Sequence, residues 1–465
     1  MHPLLRSSSA ELRDAYAGGA TTPSDVLAAV LDHVDAVNPH LRAIVALGGE
    51  QAARAAAEAG ERWAAGRPLS PLDGVPVTVK DSVATAGLPW RHGTAPNDGL
   101  ADSTVDSPPA ARLREAGAVI VGKTAMPDFG MLASGVSSLY GTTRNPWDLT
   151  TSPGGSSSGA GASLAAGIGW GSVGSDIAGS VRLPAAHCGL TALKPTQGRV
   201  PHLPSSTVRS AGPMARTVAE LVDLFDVIAR PDPRDELSLP PEPGEPTPPD
   251  VAGLRVGLLL DLGCDPRADD AVEQVVRRAA AALAAGGAAV TEVTPPFADD
   301  PYPALDTLFQ VRARTEWEAF DAAGRAQVLP ELVAWCRAAE DLSATDLERA
   351  GHAVARARDR IAQHLREFDV VLAPVLPFVS LPADSVGLDP HRPLAHCGYT
   401  CWFNQTGQPA STVSFGLSQS LPVGVQVVGP RFTDRRVLAV TAWLEARRGF
   451  TPDWPYVPRG AALVA

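Results

Sequence analysis

Two short stretches of this 465-residue chain bring serine and glycine together at a density that calls for a chemical reason. The first runs Ser152-Pro153-Gly154-Gly155-Ser156-Ser157-Ser158-Gly159, and the second Gly174-Ser175-Asp176-Ile177-Ala178-Gly179-Ser180-Val181-Arg182. A Gly/Ser run by itself reads as a flexible linker. Here apolar Leu164, Ile168, Trp170 and Val173 are interleaved, the run lies in mid-chain, and Arg182-Leu183-Pro184 opens a compact segment after it. Dense glycine in that setting points to backbone forced close to something. Successive N–H groups in tight turns converge on negative charge, either a phosphate or an oxyanion that develops during a reaction.

Phosphate fits poorly. Gly117 to Thr124 matches G-x-x-x-x-G-K-[ST], but Ala118-Val119-Ile120-Val121 in its middle reads as a strand. Gly169 to Gly174 matches G-x-G-x-x-G without an acid about twenty residues further on. An oxyanion needs a nucleophile beside its donors, and Ser180 directly follows Ile177-Ala178-Gly179. A second serine competes: Gly155 to Gly159 matches the nucleophile elbow G-x-S-x-G, with Ser157 as nucleophile. Its context is wrong, because Asp148 to Pro153 carries no β-rich run and nothing singles out His187, His202 or His396 as a partner. A serine hydroxyl needs a base. Without a histidine, a lysine serves if burial leaves it neutral near pH 7. Lys80, Lys123 and Lys194 are the candidates, and spacing alone does not choose among them.

The elements that must position these groups alternate between strand and helix. Thr22-Pro23-Ser24 starts a helix with the apolar face Val26, Leu27, Val30, Val34 and Val37, and Asn38-Pro39 is expected to end it. Val75 to Val79 is β-branched and delivers Lys80; Ala118 to Val121 repeats the pattern before Lys123, with a helix over Pro108 to Ala116 between them. Thr217 caps a helix with the face Val218, Leu221, Val222, Phe225 and Ile228. Strands are expected at Leu254 to Leu260, Asp369 to Pro374, Ala410 to Phe415 and Val423 to Val428, and a helix at Ala268 to Ala285. Pro240 to Pro249, rich in proline and acid, reads as an exposed seam between two halves. This alternation implies an α/β fold with one mixed sheet flanked by helices.

Composition excludes several classes of function. A net charge of −12 disfavours nucleic acid and anionic membrane as partners. No run of about 18 apolar residues suggests a spanning helix, and the first residues do not read as a secretory signal. Five scattered cysteines, Cys188, Cys264, Cys336, Cys397 and Cys401, argue for reduced thiols and a cytoplasmic protein. No cluster has metal-ligand spacing; Cys397-x-x-x-Cys401 lacks a second pair, so no metal and no cofactor are expected.

Three blocks taken together, Pro71 to Asp81, Ser152 to Gly159 and Gly174 to Pro184, resemble the signature blocks of the amidase signature family. Further stretches resemble it in the family's order, among them Arg144-Asn145-Pro146-Trp147, Gly212 to Thr217, Phe403 to Ala410 and Leu421 to Gln426. The resemblance implies a single large α/β domain, its central mixed sheet covered by helices on both faces. Residues 71–465 would form the amidase domain, with residues 1–70 as an N-terminal helical segment packed on its core. It implies a Ser–Ser–Lys triad of Ser180, Ser156 and Lys80, a cis peptide bond at Ser156, and an oxyanion hole from the backbone of Ile177, Ala178, Gly179 and Ser180. Lys123 and Lys194 then become structural. Phe129, Met131 and Ser134 fall in the region, Met126 to Tyr140, that resembles the family's substrate-facing loop. The expected reaction is hydrolysis of a small-molecule amide. The alternatives are the glutaminase component of a tRNA-dependent amidotransferase and an idle family member with a binding role; a homodimer is the assembly left open. Ala178 departs from the family's common glycine, which matters if its φ is positive.

Overall fold

The computed structural model describes residues 2–242 and 250–459. The seam expected at 240–249 therefore lies, from 243 onward, outside the described residues. Thirteen strands occur among them: β1 (Ile44–Leu47), β2 (Pro76–Lys80), β3 (Val119–Thr124), β4 (Val136–Ser137), β5 (Gly141–Thr142), β6 (Gly171–Asp176), β7 (Thr191–Lys194), β8 (Ser210–Ala215), β9 (Arg255–Leu258), β10 (Ala289–Glu292), β11 (Val370–Pro374), β12 (Ala410–Ser418) and β13 (Leu421–Val428). Eleven of them form one sheet in the order β1-β3-β2-β6-β8-β7-β12-β13-β11-β9-β10, and β4 pairs with β5 apart from it. The sheet is mixed: β3, β2 and β6 run parallel, as do β11, β9 and β10, with antiparallel pairing between and outside these groups.

Alternation along the strands assigns the two faces. Val77 and Val79 of β2 enter an apolar cluster with residues of the helices Pro108–Glu115, Val218–Ile228, Asp270–Ala285 and Asp434–Glu445. Val119 and Val121 of β3 pack on the opposite face against the helices Pro23–Leu41 and Ser158–Ala165. Val371 and Ala373 of β11 share that second face with the helices Tyr302–Glu318, Ala344–Leu365 and Gly398–Gln405.

The segment before Pro71 contains the helices Ser9–Ala17, Pro23–Leu41 and Gly49–Ala64. It also supplies β1, which pairs antiparallel with β3 at the sheet edge. The Pro23–Leu41 helix starts as expected, with Thr22 and Asp25 capping each other, but ends two residues beyond Pro39, at Leu41. A proline in the last turn forgoes only one N–H bond. The stop comes from Asn38, whose side chain leaves the helix to accept from the N–H groups of Ala43 and Ile44 and to donate to the Ile44 carbonyl. β3 runs three residues past Val121 and takes in Gly122, Lys123 and Thr124, so the G-x-x-x-x-G-K-[ST] match is strand throughout its second half.

Candidate active site

Lys80 ends β2, in the middle of the left half of the sheet, and its side chain is wholly buried. Its Nζ lies 2.8 Å from Ser156 Oγ and 3.2 Å from Ser175 Oγ. Burial pushes its ammonium down from the ordinary lysine range to about 7, against the pull of Asp176. Lys123 and Lys194 are lowered by burial as well, to about 8 and about 7, so acidity does not separate the three. Their partners do. Lys123 Nζ donates to the Val83 carbonyl and Lys194 Nζ to the Pro195 carbonyl, and neither touches Ser156 or Ser180.

Ser156 stands in a tight turn just before the Ser158–Ala165 helix, and the Gly155–Ser156 peptide is cis. Gly155 is required there by contact: a Cβ on it would lie 2.3 Å from the Ser134 carbonyl oxygen. The Ser157 N–H donates to the Ser180 carbonyl over 3.1 Å, which ties this turn to the loop after β6. Ser156 is 2% and Ser180 6% exposed. Ser157, the elbow candidate, is fully buried, and its Oγ has no hydrogen-bond partner among the described residues. The histidines that would have served it are no better placed. Burial holds His187 and His202 down at about 3 and His396 at about 4. None of their ring nitrogens bonds a serine hydroxyl among the described residues.

The Ile177–Ser180 loop is held from below by Asp176. This carboxylate has no exposure and pairs with the equally buried Arg182 at 2.8 Å. It also accepts from the Gly179 and Val181 N–H groups and from Asn404 Nδ2. Burial raises its pKa, but Arg182 and Asn404 outweigh that and hold it well below the usual carboxylate range. Arg182 goes on to Gln426, Asn404 and the Thr400 carbonyl, so one guanidinium fastens the loop to β13 and to the Gly398–Gln405 helix. The Gly179 N–H, expected in the oxyanion hole, is thus engaged by Asp176, while those of Ile177, Ala178 and Ser180 have no hydrogen-bond partner among the described residues. Ala178 is not among the residues with positive φ; the left-handed position is its neighbour Gly179, at +125°. The glycine the family commonly has at 178 is not needed for backbone conformation here.

The three residues expected to face substrate separate. Phe129 and Met131 are buried in the same apolar cluster as Ala178, and Phe129 stacks on Phe320 at 6.1 Å between ring centroids. A Cβ on Gly130, between them, would lie 3.3 Å from Ser156 Oγ. Ser134 is wholly buried with its main chain against Gly155, where it seats the Ser156 turn from behind. Sequence reasoning passed over Ser175, Asp176 and Arg182 as chemical groups although they stand inside the third block, Gly174 to Pro184. The readable signal was an acid and an arginine six apart in an otherwise uncharged, glycine-rich stretch. Ser82, 3.2 Å from Ser175, and Asn404 carried no such local signal.

The Amidase family model matches residues 25–438. The chain belongs to the amidase family. An acylamidase of Rhodococcus erythropolis is 35% identical to this amidase, with 96% of this chain and 97% of the relative aligned. A glutamyl-tRNA(Gln) amidotransferase component from Salinispora tropica is 33% identical, with 97% and 99% aligned. Among solved structures, a bacterial aryl acylamidase of the amidase signature family superposes with a TM-score of 0.89 at 25% identity, covering 98% of this amidase and 99% of that chain. The peptide amidase of Stenotrophomonas maltophilia gives 0.81 at 27% identity, covering 96% and 98%. The amidase is thus a hydrolase with the large mixed-sheet α/β fold expected of it, and no helix among the described residues is long and apolar enough to cross a membrane.

Proposed function

We propose that this amidase cleaves a carboxylic amide to a carboxylate and ammonia or an amine through an acyl-enzyme on Ser180, with Ser156 and Lys80 relaying protons. The observation that carries the reading is the 2.8 Å approach of a fully buried lysine, with a pKa of about 7, to the Ser156 hydroxyl. Neutral Lys80 has a lone pair to accept the Ser156 proton. Ser156 in turn accepts the proton of Ser180 as its Oγ attacks the amide carbon. The carbonyl oxygen gains negative charge, which the free N–H groups of Ile177, Ala178 and Ser180 are suited to receive. Collapse of the tetrahedral species breaks the C–N bond, and the proton returns along the same relay to the departing nitrogen. Water then adds to the ester by the same route and releases the acid. Phe129 and Met131 would form an apolar wall beside Ser156. The reading is tested with Lys80→Ala, Ser156→Ala and Ser180→Ala variants assayed for ammonia or amine release. Wild-type activity in Lys80→Ala would sink it, whereas fluorophosphonate labelling lost only in Ser180→Ala supports it and separates an enzyme from an idle scaffold.

The likeness to an amidotransferase component favours a second reading, release of ammonia from glutamine for a partner. Purification from the native cell decides between them: a stable complex with further chains supports the second, and a chain that works alone supports the first.

A further inference from the structure

One cation near this site is held by a single side-chain hydrogen bond among the described residues. Ala211 of β8 pairs with Ser175, whose hydroxyl lies 3.2 Å from Lys80 Nζ. Arg209 stands one residue before β8, just beyond the last pair, Asp176↔Ser210. The register therefore places its main chain beside the start of the Ile177–Ser180 loop. The main chain here is fixed from several sides: Asn404 donates to the Val208 carbonyl, Gln197 to the Arg209 carbonyl, and the Arg209 N–H donates to Ser206 Oγ. The guanidinium, in contrast, donates only to the Pro204 carbonyl, over 3.1 Å, and its buried Nε has no partner among the described residues. It makes no ion pair within 4 Å among the described residues, although its charge is felt at Lys80, His92 and His202.

The surrounding charges do not cancel it. On the Tyr302–Glu318 helix, Arg312 and Glu316 stand one turn apart, near enough for their charges to act on Arg209, and neither makes an ion pair among the described residues. Two guanidinium groups thus stand with one carboxylate, and the charge of Arg209 reaches Lys80. Thr207 and Val208, which precede Arg209 in the chain, line a neighbouring cavity of about 420 Å³ together with Arg312 and Arg358, with Phe309 and Val354 as apolar walls. A half-buried arginine without an ion pair, its Nε buried and unpartnered, gains from a ligand that supplies an anion.

We propose that Arg209 is a specificity residue and that the substrate is an amide bearing a free carboxylate, which Arg209 receives while the amide lies over Ser180. This rests on the acyl-enzyme reading above. Guanidinium and carboxylate match in a planar two-bond geometry that a lysine cannot reproduce. The group contributes to binding rather than to bond breaking, so its removal acts chiefly on KM.

The experiment compares matched pairs: adipic acid monoamide against hexanamide, and 4-acetamidobenzoate against acetanilide. In the wild type, kcat/KM for at least one carboxylated member exceeds that of its neutral partner at least tenfold. Arg209→Gln lowers that ratio at least tenfold, through KM, and Arg209→Lys recovers part of it. Using a ratio removes any general effect of the substitution on Lys80. A thermal-shift titration with adipate and with adipamide reads binding without turnover: adipate, and not adipamide, raises the melting temperature of the wild type, and Arg209→Gln loses that response. Equal ratios in wild type and Arg209→Gln, or an adipate response that survives the substitution, overturn the proposal. Adipate binding through Arg209 in a protein that cleaves none of the four amides upholds the anion site and points the failure at the acyl-enzyme reading.

Discussion

Lys80 is unusual in being both strongly destabilised as a cation and placed against a hydroxyl it can use. A lysine that is neutral only above about pH 7 makes activity depend on pH in a definite direction. Burial has lowered its pKa, so the base is protonated and idle on the acid side, and kcat/KM should rise with pH through a midpoint of about 7. A pH–rate profile that stays flat across the acid-to-neutral range would contradict this assignment. Lys80→Met removes the base and also the burden of a buried amine. We expect kcat/KM to fall on the order of 10²–10⁴-fold, while stability at neutral pH rises on the order of a few kcal/mol. Activity and urea denaturation measured on one preparation check both halves. A loss of stability in that variant would mean that Lys80 is a structural cation like Lys123, whose Nζ is taken up by a carbonyl.

At the scale of an element, the Ile177–Ser180 loop owes its shape to groups beneath it rather than to its own sequence. Gly179 has φ +125°, and a Cβ there would fall 2.4 Å from Thr400 Oγ1, the group that donates to the Ala178 carbonyl. Gly179→Ala therefore has two reasons to deform the loop, a forbidden backbone region and a collision. Phosphonylation of Ser180 by a fluorophosphonate, with loss of fluoride, should slow by about 100-fold, with circular dichroism unchanged. Arg182→Ala is harsher, because it leaves Asp176 charged, buried and without its ion-pair partner. A loss of about 3–5 kcal/mol is expected, read from the denaturation midpoint, together with slower labelling of Ser180. Strands and caps at this scale were largely legible. The Val218–Ile228 helix carries the Thr217 and Glu220 capping box its sequence advertises, and β2 begins one residue after the Val75 that its pattern suggested. The helix end at Pro39 was misread because the deciding interaction is the Asn38 side chain folding back on Ala43 and Ile44, which no periodicity displays.

For the whole molecule, the first 70 residues are built into the sheet rather than laid upon it. β1 covers the edge of β3, Trp170 Nε1 donates to the Ser7 carbonyl, and Tyr16 donates to the Gly74 carbonyl. A chain starting at Pro71 would bare the β3 edge together with Val119, Val121, Ile168 and Trp170, an exposed strand beside a large apolar patch. Such a fragment should aggregate, and size-exclusion chromatography that returned it as a folded, soluble species would refute the point. By itself the sequence determined the family, the α/β alternation and the three blocks that carry Lys80, Ser156 and Ser180, because those features are local: β-branched runs, capping residues, and glycines where the backbone must come close. Among Lys80, Lys123 and Lys194, which look alike in local sequence, the resemblance chose Lys80, and only the tertiary structure shows what each ammonium group meets: a serine hydroxyl for Lys80 and main-chain carbonyls for the other two. Tertiary structure also buried the Ser157 hydroxyl without a partner, set the Ser134 main chain against Gly155, and left Arg209 without an ion pair within 4 Å among the described residues. The reason is physical: a side chain's partners and its loss of water are set by strands tens to hundreds of residues away, and those two quantities fix whether a polar group is catalyst, scaffold or ligand site.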